Sequence, residues 1–345
     1  MNGQKRYKVV QWATGNIGTR ALKAVIEHPD MDLVGLYVSS PEKHGRDAGE
    51  IAGTGRTGVI ATGSLDNIVA TDADAVLYMR QGIDFDEVCA LLESGKNIVT
   101  TRGEFHYPPG MDATLRERVE AACRAGNASI YSTGSSPGFI SEALVIPLLS
   151  QQRRLDCMTI DEYADCSSRN SPDMLFNIMG FGGDPEQLSK AGGDHVKYGF
   201  AATFSQIADA IGRPVERFET KSEVGVAMKD VHIAAGIVPK GTVGAMRSTL
   251  DVISSGQTII RFRTNWYVTR DIDQDWELRD SGWRVQIAGD APHDISIGFP
   301  VSKEEYPNMT PGLTAHRPVN SIPAVCAAEP GIRTTVDLPH IIARL

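Results

Sequence analysis

Two short runs carry residue types that could do chemistry. The first is Arg102-Gly103-Glu104-Phe105-His106-Tyr107, directly after the apolar stretch Asn97–Thr101. A carboxylate set on a turn between aromatic rings is partly desolvated, which suits Glu104 to taking up and returning a proton. The plainer reading of Glu104 is a surface acid or a partner of Arg102. His106 is a second candidate acid–base group, and its plainer reading is a polar loop residue. The second run is Tyr7–His28, where Val9-Val10-Gln11-Trp12 leads into Ala13-Thr14-Gly15-Asn16-Ile17-Gly18 and then into a helical pattern. A strand, a glycine turn and a helix in that order can lay a dinucleotide pyrophosphate on a helix N-terminus. Thr14, Gly15, Asn16, Ile17 and Gly18 are the expected contacts. Ala13 stands where the usual G-x-G-x-x-G has its first glycine, so the fingerprint is incomplete, and an ordinary glycine-bearing turn is the competing reading.

Such groups must be positioned by a scaffold. Up to about residue 135, strands are expected at 32–38, 73–79, 97–101 and 129–132, with helices at 85–94 and 113–125. A Gly-rich connection runs from Ser39 to Gly58. Alternation of this kind predicts an α/β domain with a parallel sheet covered on both faces. The pattern then changes. Helices are expected at 138–149, 172–179 and 195–211, and strands at 155–165, 216–224, 241–253, 258–269, 276–288 and 293–300. Long strands with short polar turns predict a mainly antiparallel sheet in an α+β domain. A short helix is expected at 320–328. The expected division is a dinucleotide-binding domain at 1–137, completed by 311–345, and a substrate-binding and dimerisation domain at 138–310.

In an open α/β sheet the ligand lies beyond the carboxyl ends of the strands. Arg80 and Gln81, then Thr101 to His106, then Thr133 to Phe139 should therefore converge on the nicotinamide, with Arg80, Thr101 and Gly134 as cofactor contacts. The end of the second strand decides the cofactor. It carries Ser39 and Ser40, followed by Lys43, His44 and Arg46, with no acid to repel a 2′-phosphate. Hydroxyls and cations favour NADPH over NADH, unless Lys43 and Arg46 are solvated loop charges.

The remaining signals mostly exclude. The chain has 345 residues, 41% hydrophobic and 22% charged, and a net charge of −9. That argues against nucleic acid as a partner. Lys5-Arg6 leads straight into the first strand, and no apolar stretch is long enough to span a membrane. Cys89, Cys123, Cys157, Cys166 and Cys326 are scattered, which fits reduced thiols in a cytoplasm. The histidines form no metal-ligand spacing, and no G-x-S-x-G or P-loop occurs. In the second half, Glu162, Tyr163, Asp165, Arg169, Met174, Phe176, Trp266 and Tyr267 either line a pocket or form plain core. Met309–Pro311 and His316–Asn320 are expected in a loop that closes the site before the last helix.

Taken together, Val9–Gly18, the Gly103-Glu104 turn, Gly134-Ser135-Ser136-Pro137-Gly138-Phe139 and the closing Val319–Val325 segment resemble the dihydrodipicolinate-reductase-like superfamily. Within it the chain is most similar to the 2,4-diaminopentanoate dehydrogenases and native amine dehydrogenases. It lacks the His-His-x-x-Lys signature and the Lys-x-x-Ser-Gly-Thr-like loop of dihydrodipicolinate reductases, which argues against that namesake activity. The resemblance implies reductive amination of small ketones or aldehydes with ammonia, or oxidative deamination in reverse, with Glu104 as the catalytic carboxylate. It places Phe139, Tyr163, Met174, Trp266 and His316 by region in the substrate pocket, and implies a homodimer. A carbonyl or imine reductase that uses no ammonia, and a non-catalytic NADPH sensor, are the other readings.

Overall fold

A computed structural model describes residues 5–190 and 194–345. The chain divides into two compact units, residues 1–143 with 309–345, and residues 144–308.

In the first unit, β1 (Tyr7–Trp12), α1 (Asn16–Glu27), β2 (Met31–Tyr37), α2 (Ala48–Ala52), β3 (Ala61–Thr62), α3 (Leu65–Ala70), β4 (Ala75–Tyr78), α4 (Phe85–Glu93), β5 (Asn97–Thr100), α5 (Ala113–Gly126) and β6 (Ser129–Ser132) follow in turn. The strands are apolar at nearly every position because both faces of a parallel sheet are covered. Val10, Trp12, Val76, Tyr78, Ile98 and Ile130 face α4 and α5, through Val88, Leu91, Leu92, Val119 and Ala122. Val9, Ala75, Leu77, Val99 and Tyr131 face Ala21 and Val25 of α1.

The second unit holds α6 (Val145–Leu149), β7 (Leu155–Asp165), α7 (Pro185–Lys190), α8 (Asp194–Ala210), β8 (Arg217–Val226), β9 (Val231–Ile233), β10 (Gly236–Val238), β11 (Val243–Ser254), β12 (Gln257–Tyr267), β13 (Gly282–Gly289) and β14 (His293–Gly298). Its six-stranded sheet runs β14-β13-β7-β12-β11-β8 and is antiparallel except where β7 pairs with β12. Phe200 and Phe204 of α8 pack on Phe262 of one face. Ion pairs occupy the other, Arg263 with Asp161 and Arg261 with Asp251.

The chain then forms α9 (Tyr306–Cys326) and β15 (Gly331–Arg333). In place of a loop and a short helix at 320–328, one helix runs on from 306 through Pro311, Pro318 and Pro323. A proline inside a helix removes a hydrogen bond and normally breaks it. Here tertiary packing outweighs that cost, since Ala315, Val319, Ile322 and Val325 complete the apolar layer over β1, β4 and β5. β15 pairs in parallel with β6, giving a seven-stranded sheet in the order β15-β6-β5-β4-β1-β2-β3. The connection 39–58 also holds more structure than its glycines suggest. Asp47 caps α2 by accepting from the Gly49 amide and also binds the amides of Thr57 and Gly58, which holds its carboxyl down at about 2. No helix among the described residues is long and apolar enough to cross a membrane.

Ala13 has a left-handed backbone, with φ +72°. A side chain costs roughly 1–2 kcal/mol there, while glycine carries extra unfolded-state entropy that offsets part of the relief. Ala13→Gly is expected to raise stability by about 0.5 kcal/mol in urea unfolding; a loss of stability would contradict this account of the turn.

Candidate active site

The glycine turn has two glycines that answer to different demands. A Cβ at Gly18 would lie 2.3 Å from the Ala13 carbonyl oxygen, so the fold itself requires glycine there. That carbonyl is fixed in turn by the buried Gln11 amide, whose Nε2 donates to it at 2.9 Å. Gly15 is the reverse case. Its φ is an ordinary −69°, and a Cβ there would meet nothing within 4 Å. The fold places no demand on that position, so a small residue is needed only if something outside the chain comes close. Gly15 is also the N-cap of α1, and no side chain caps the first turn. Free amides and the positive end of the helix dipole favour an anion at this point. These features fit a dinucleotide pyrophosphate.

Among the other cofactor candidates, Lys43 Nζ donates to the Thr14 carbonyl at 3.0 Å and lies 3.1 Å from Thr14 Oγ1, which brings a cation to the glycine turn. Thr14 is buried, and Ile17 packs against the apolar layer behind the sheet. Asn16 opens α1, and its carbonyl accepts from the Arg20 guanidinium at 3.2 Å. Ser39 and Arg46 are exposed, and the Ser40 hydroxyl donates to Glu42. Arg80 is turned onto Glu87 at 2.6 Å, which also receives the Tyr78 hydroxyl at 2.7 Å. Arg80 is thus braced within its own strand–helix unit.

Glu104 sits on a single 3-10 turn, Gly103–Phe105, after β5. The turn is clamped where it starts. The Arg102 amide donates to Thr100 Oγ1 at 3.1 Å, and the Ser132 hydroxyl donates to the Arg102 carbonyl at 2.7 Å. Thr101 lies between these anchors. Past Glu104, the Phe105 ring is fully buried and meets Phe85 edge-on at 6.1 Å. The Glu104 side chain is half-buried. Arg102 Nη2 donates to its Oε1 at 2.8 Å, while Oε2 is buried with no hydrogen-bond partner.

Ser132 also ties this turn to the next one, because β6 ends there and 133–139 follows. Thr133 Oγ1 accepts from Arg317 Nε at 3.0 Å, and Ser135 Oγ lies 2.7 Å from Thr314 Oγ1. The Arg317 guanidinium lies 5.8 Å from the Phe139 ring centre. Gly134 is close-packed, since a Cβ there would be 3.1 Å from the Pro137 carbonyl oxygen. The turns carrying Glu104, Gly134 and Phe139 and the His316-Arg317 part of α9 therefore form one hydrogen-bonded group. His316 keeps an exposed edge on α9, while loss of water around the rest of its ring and the charge of Arg20 hold its pKa below the usual imidazole value. The sequence marks the runs holding Thr133 and Arg317, but neither Thr314 nor the pairings are legible in it, because the partners lie some 180 residues apart.

The second unit separates two residues that sequence placed together. Trp266 pairs with Ala164 and Asn265 with Tyr163, so Trp266 and Tyr163 project from opposite faces of one sheet. The Trp266 indole donates to Glu162 Oε1 at 3.4 Å and the Trp283 indole to Oε2 at 3.2 Å, which holds a carboxylate between two rings. Tyr163 lines a cavity of about 720 Å³ with Asp165, Arg279, Trp283 and Tyr306, and burial raises its hydroxyl pKa. Met174 is 42% exposed.

Comparison with known proteins agrees with this architecture. Residues 9–101 match the dihydrodipicolinate reductase N-terminal family, and residues 139–345 match the 2,4-diaminopentanoate dehydrogenase C-terminal domain family. An amine dehydrogenase of Streptomyces virginiae is 27% identical, covering 96% of this chain and 95% of its own length. The 2,4-diaminopentanoate dehydrogenase of Acetoanaerobium sticklandii is 23% identical, covering 97% and 94%. The solved amine dehydrogenase of Mycobacterium smegmatis superposes with a TM-score of 0.75 over 100% of this chain and 99% of its own, at 20% identity, and so shares the fold. A 4-hydroxy-tetrahydrodipicolinate reductase of Methanopyrus kandleri is 44% identical over only 20% of this chain. The chain belongs to the 2,4-diaminopentanoate dehydrogenase C-terminal domain family, as an NAD(P)-dependent oxidoreductase of Rossmann type homologous to amine dehydrogenases.

Proposed function

We propose that this enzyme aminates small ketones or aldehydes with ammonia, using NADPH, and runs the oxidative deamination in reverse. The observation that carries the reading is Glu104, a half-buried carboxylate with one oxygen held by Arg102 and the other without a hydrogen-bond partner. That oxygen can accept a proton from ammonium, leaving free ammonia to attack the carbonyl carbon. The proton then goes to the carbinolamine hydroxyl, which leaves as water. The iminium cation left behind is stabilised by the same carboxylate. A nicotinamide bound beside this carboxylate would supply the hydride for reduction to the amine.

The glycine turn supports the cofactor reading through Gly15 and the uncapped start of α1. Lys43 beside Thr14, with Ser39 and Arg46 exposed nearby, supports NADPH as the preferred form. The reading includes a homodimer formed through the second unit's sheet.

The deciding experiment follows NADPH oxidation with a panel of small ketones and aldehydes, with and without high ammonium at alkaline pH. Ammonium-dependent oxidation that yields the amine is expected; oxidation indifferent to ammonium would make the enzyme a carbonyl reductase, and silence with tight NADPH binding would leave a sensor. Glu104→Gln is expected to lower the ammonium-dependent rate by about two to four orders of magnitude while NADPH still binds. Near-normal turnover would remove Glu104 from the chemistry. Gly15→Val is expected to lower stability by no more than about 1 kcal/mol, the N-cap preference of glycine over valine, because its Cβ meets no protein atom within 4 Å, yet to abolish NADPH binding in fluorescence titration. Unchanged affinity would mean the pyrophosphate lies elsewhere, and equal affinity of the parent chain for NADH would end the NADPH preference. Light scattering should report twice the 37.3 kDa chain mass, and a monomer at micromolar concentration would rule out the dimer.

A further inference from the structure

Behind the Glu104 turn lies a chain of buried polar groups that the proposed chemistry does not use. Glu142 is fully buried and His106 nearly so, and His106 Nδ1 lies 2.7 Å from Glu142 Oε1. The Thr335 hydroxyl donates to Glu142 Oε2. Thr335 Oγ1 is 3.0 Å from the Tyr131 hydroxyl, which must donate because the Thr335 hydrogen is already committed. The chain of contacts thus runs from β6 through the segment after β15 to residue 142 and ends on residue 106, the residue that closes the Glu104 turn.

We infer that Glu142, acting through His106, is a positioning residue that sets the direction of the Glu104 carboxylate. This inference rests on the proposed role of Glu104. Three observations support it. The Glu104 side chain has one hydrogen bond of its own, to Arg102 two residues away in the same turn, so its aim depends on the backbone of that turn. The start of the turn is pinned to the sheet by Thr100 and Ser132. Its end is held by the buried Phe105 ring and by the His106 ring, whose Nδ1 lies against the Glu142 carboxylate. Glu142 also lies near the end of the 135–143 segment, whose first residues are the Ser135–Phe139 turn. One carboxylate therefore ties together the two turns that must be in register for hydride and proton transfer. Two apolar side chains could fill the same space without the cost of burying a carboxylate. They would lack the polar anchor that fixes the ring against residue 142, and a misplacement of about 1 Å in a reacting group can cost a hundredfold in rate.

The test uses Glu142→Gln, which keeps the shape and removes the charge, and Thr335→Val, which removes the far anchor. Both are made in the parent chain and in the Glu104→Gln background. Steady-state amination is followed together with the ¹³C resonance of the Glu104 carboxyl carbon in glutamate-labelled protein, identified by its loss in Glu104→Gln. The expected result for Glu142→Gln is a kcat lower by about 10–100-fold, with KM for carbonyl and ammonium and the Kd for NADPH within about twofold. The Glu104 resonance should move, and no further loss should appear when Glu104 is already Gln. Thr335→Val should show the same pattern at smaller size, and it carries the test alone if Glu142→Gln does not fold. An unmoved Glu104 resonance, an unchanged kcat, or losses that multiply in the double variant would overturn the inference. Full activity of Glu104→Gln alone would instead overturn the role of Glu104, a different outcome from losses that multiply.

Discussion

The close approach of the first helix to the first strand is the contact that the rest of the first unit's geometry depends on. α1 meets the end of β1 so tightly that position 18 has no room for a Cβ against the Ala13 carbonyl. That approach needs Ala13 in a left-handed conformation and its carbonyl held by Gln11. It aims the first turn of α1 at the space beyond the strand ends, and it drops Ala21 and Val25 onto the apolar face of the sheet. Once β1 and α1 are fixed, β4 pairs with β1 and β5 with β4, and the loops after each strand come out along one edge. Ser132 donating to the Arg102 carbonyl joins two of those loops directly. The functional turns are therefore organised by backbone contacts at strand ends, with side chains added on top.

Much of this was legible in the sequence, for a physical reason. Strands buried on both faces read as unbroken apolar runs, so β4, β5 and β6 stand out, and β7 falls at 155–165 as the pattern indicates. The glycine turn is legible because its constraint is local. α9 is different, because Pro311, Pro318 and Pro323 carry a strong local signal against a helix. What keeps it helical is the apolar layer it completes over the sheet, a long-range fact. β15 is only three residues long, and nothing but its pairing with β6 marks it.

The site shows the same division. Glu104 stands out as an acid on a turn after an apolar strand, but the groups that hold it do not. Thr133, Thr314, Arg317, Glu142 and Thr335 look like ordinary polar residues until the fold brings them together. Sequence alternation says which residues of one strand share a face, yet it does not say which face the neighbouring strand presents. That is settled by register, which here puts Tyr163 beside Asn265 and sends Trp266 to the other side. A pocket assembled from sequence by region alone therefore mixes two faces of one sheet.

The two oxygens of Glu104 divide the work of the site. Arg102 holds Oε1 and sets a positive charge beside the half-buried carboxyl group. Oε2 is buried without a hydrogen bond, a condition that costs about 1–3 kcal/mol and that a donor from a bound molecule relieves. An ammonium or an iminium N–H is such a donor, and its positive charge adds to the gain in a site where charged hydrogen bonds are roughly twice as strong as neutral ones. A ketone has no proton to give and gains nothing at this oxygen. The arrangement therefore favours the nitrogen-bearing species along the reaction over the carbonyl that precedes them. Stabilising the cation that forms late more than the neutral substrate that enters is what lowers a barrier rather than merely tightening binding. An amide at position 104 offers one acceptor and one donor group; if its oxygen meets Arg102, its NH₂ faces the incoming cation and repels it. The ion pair with Arg102 thus orients the carboxylate so that its remaining oxygen selects for charge.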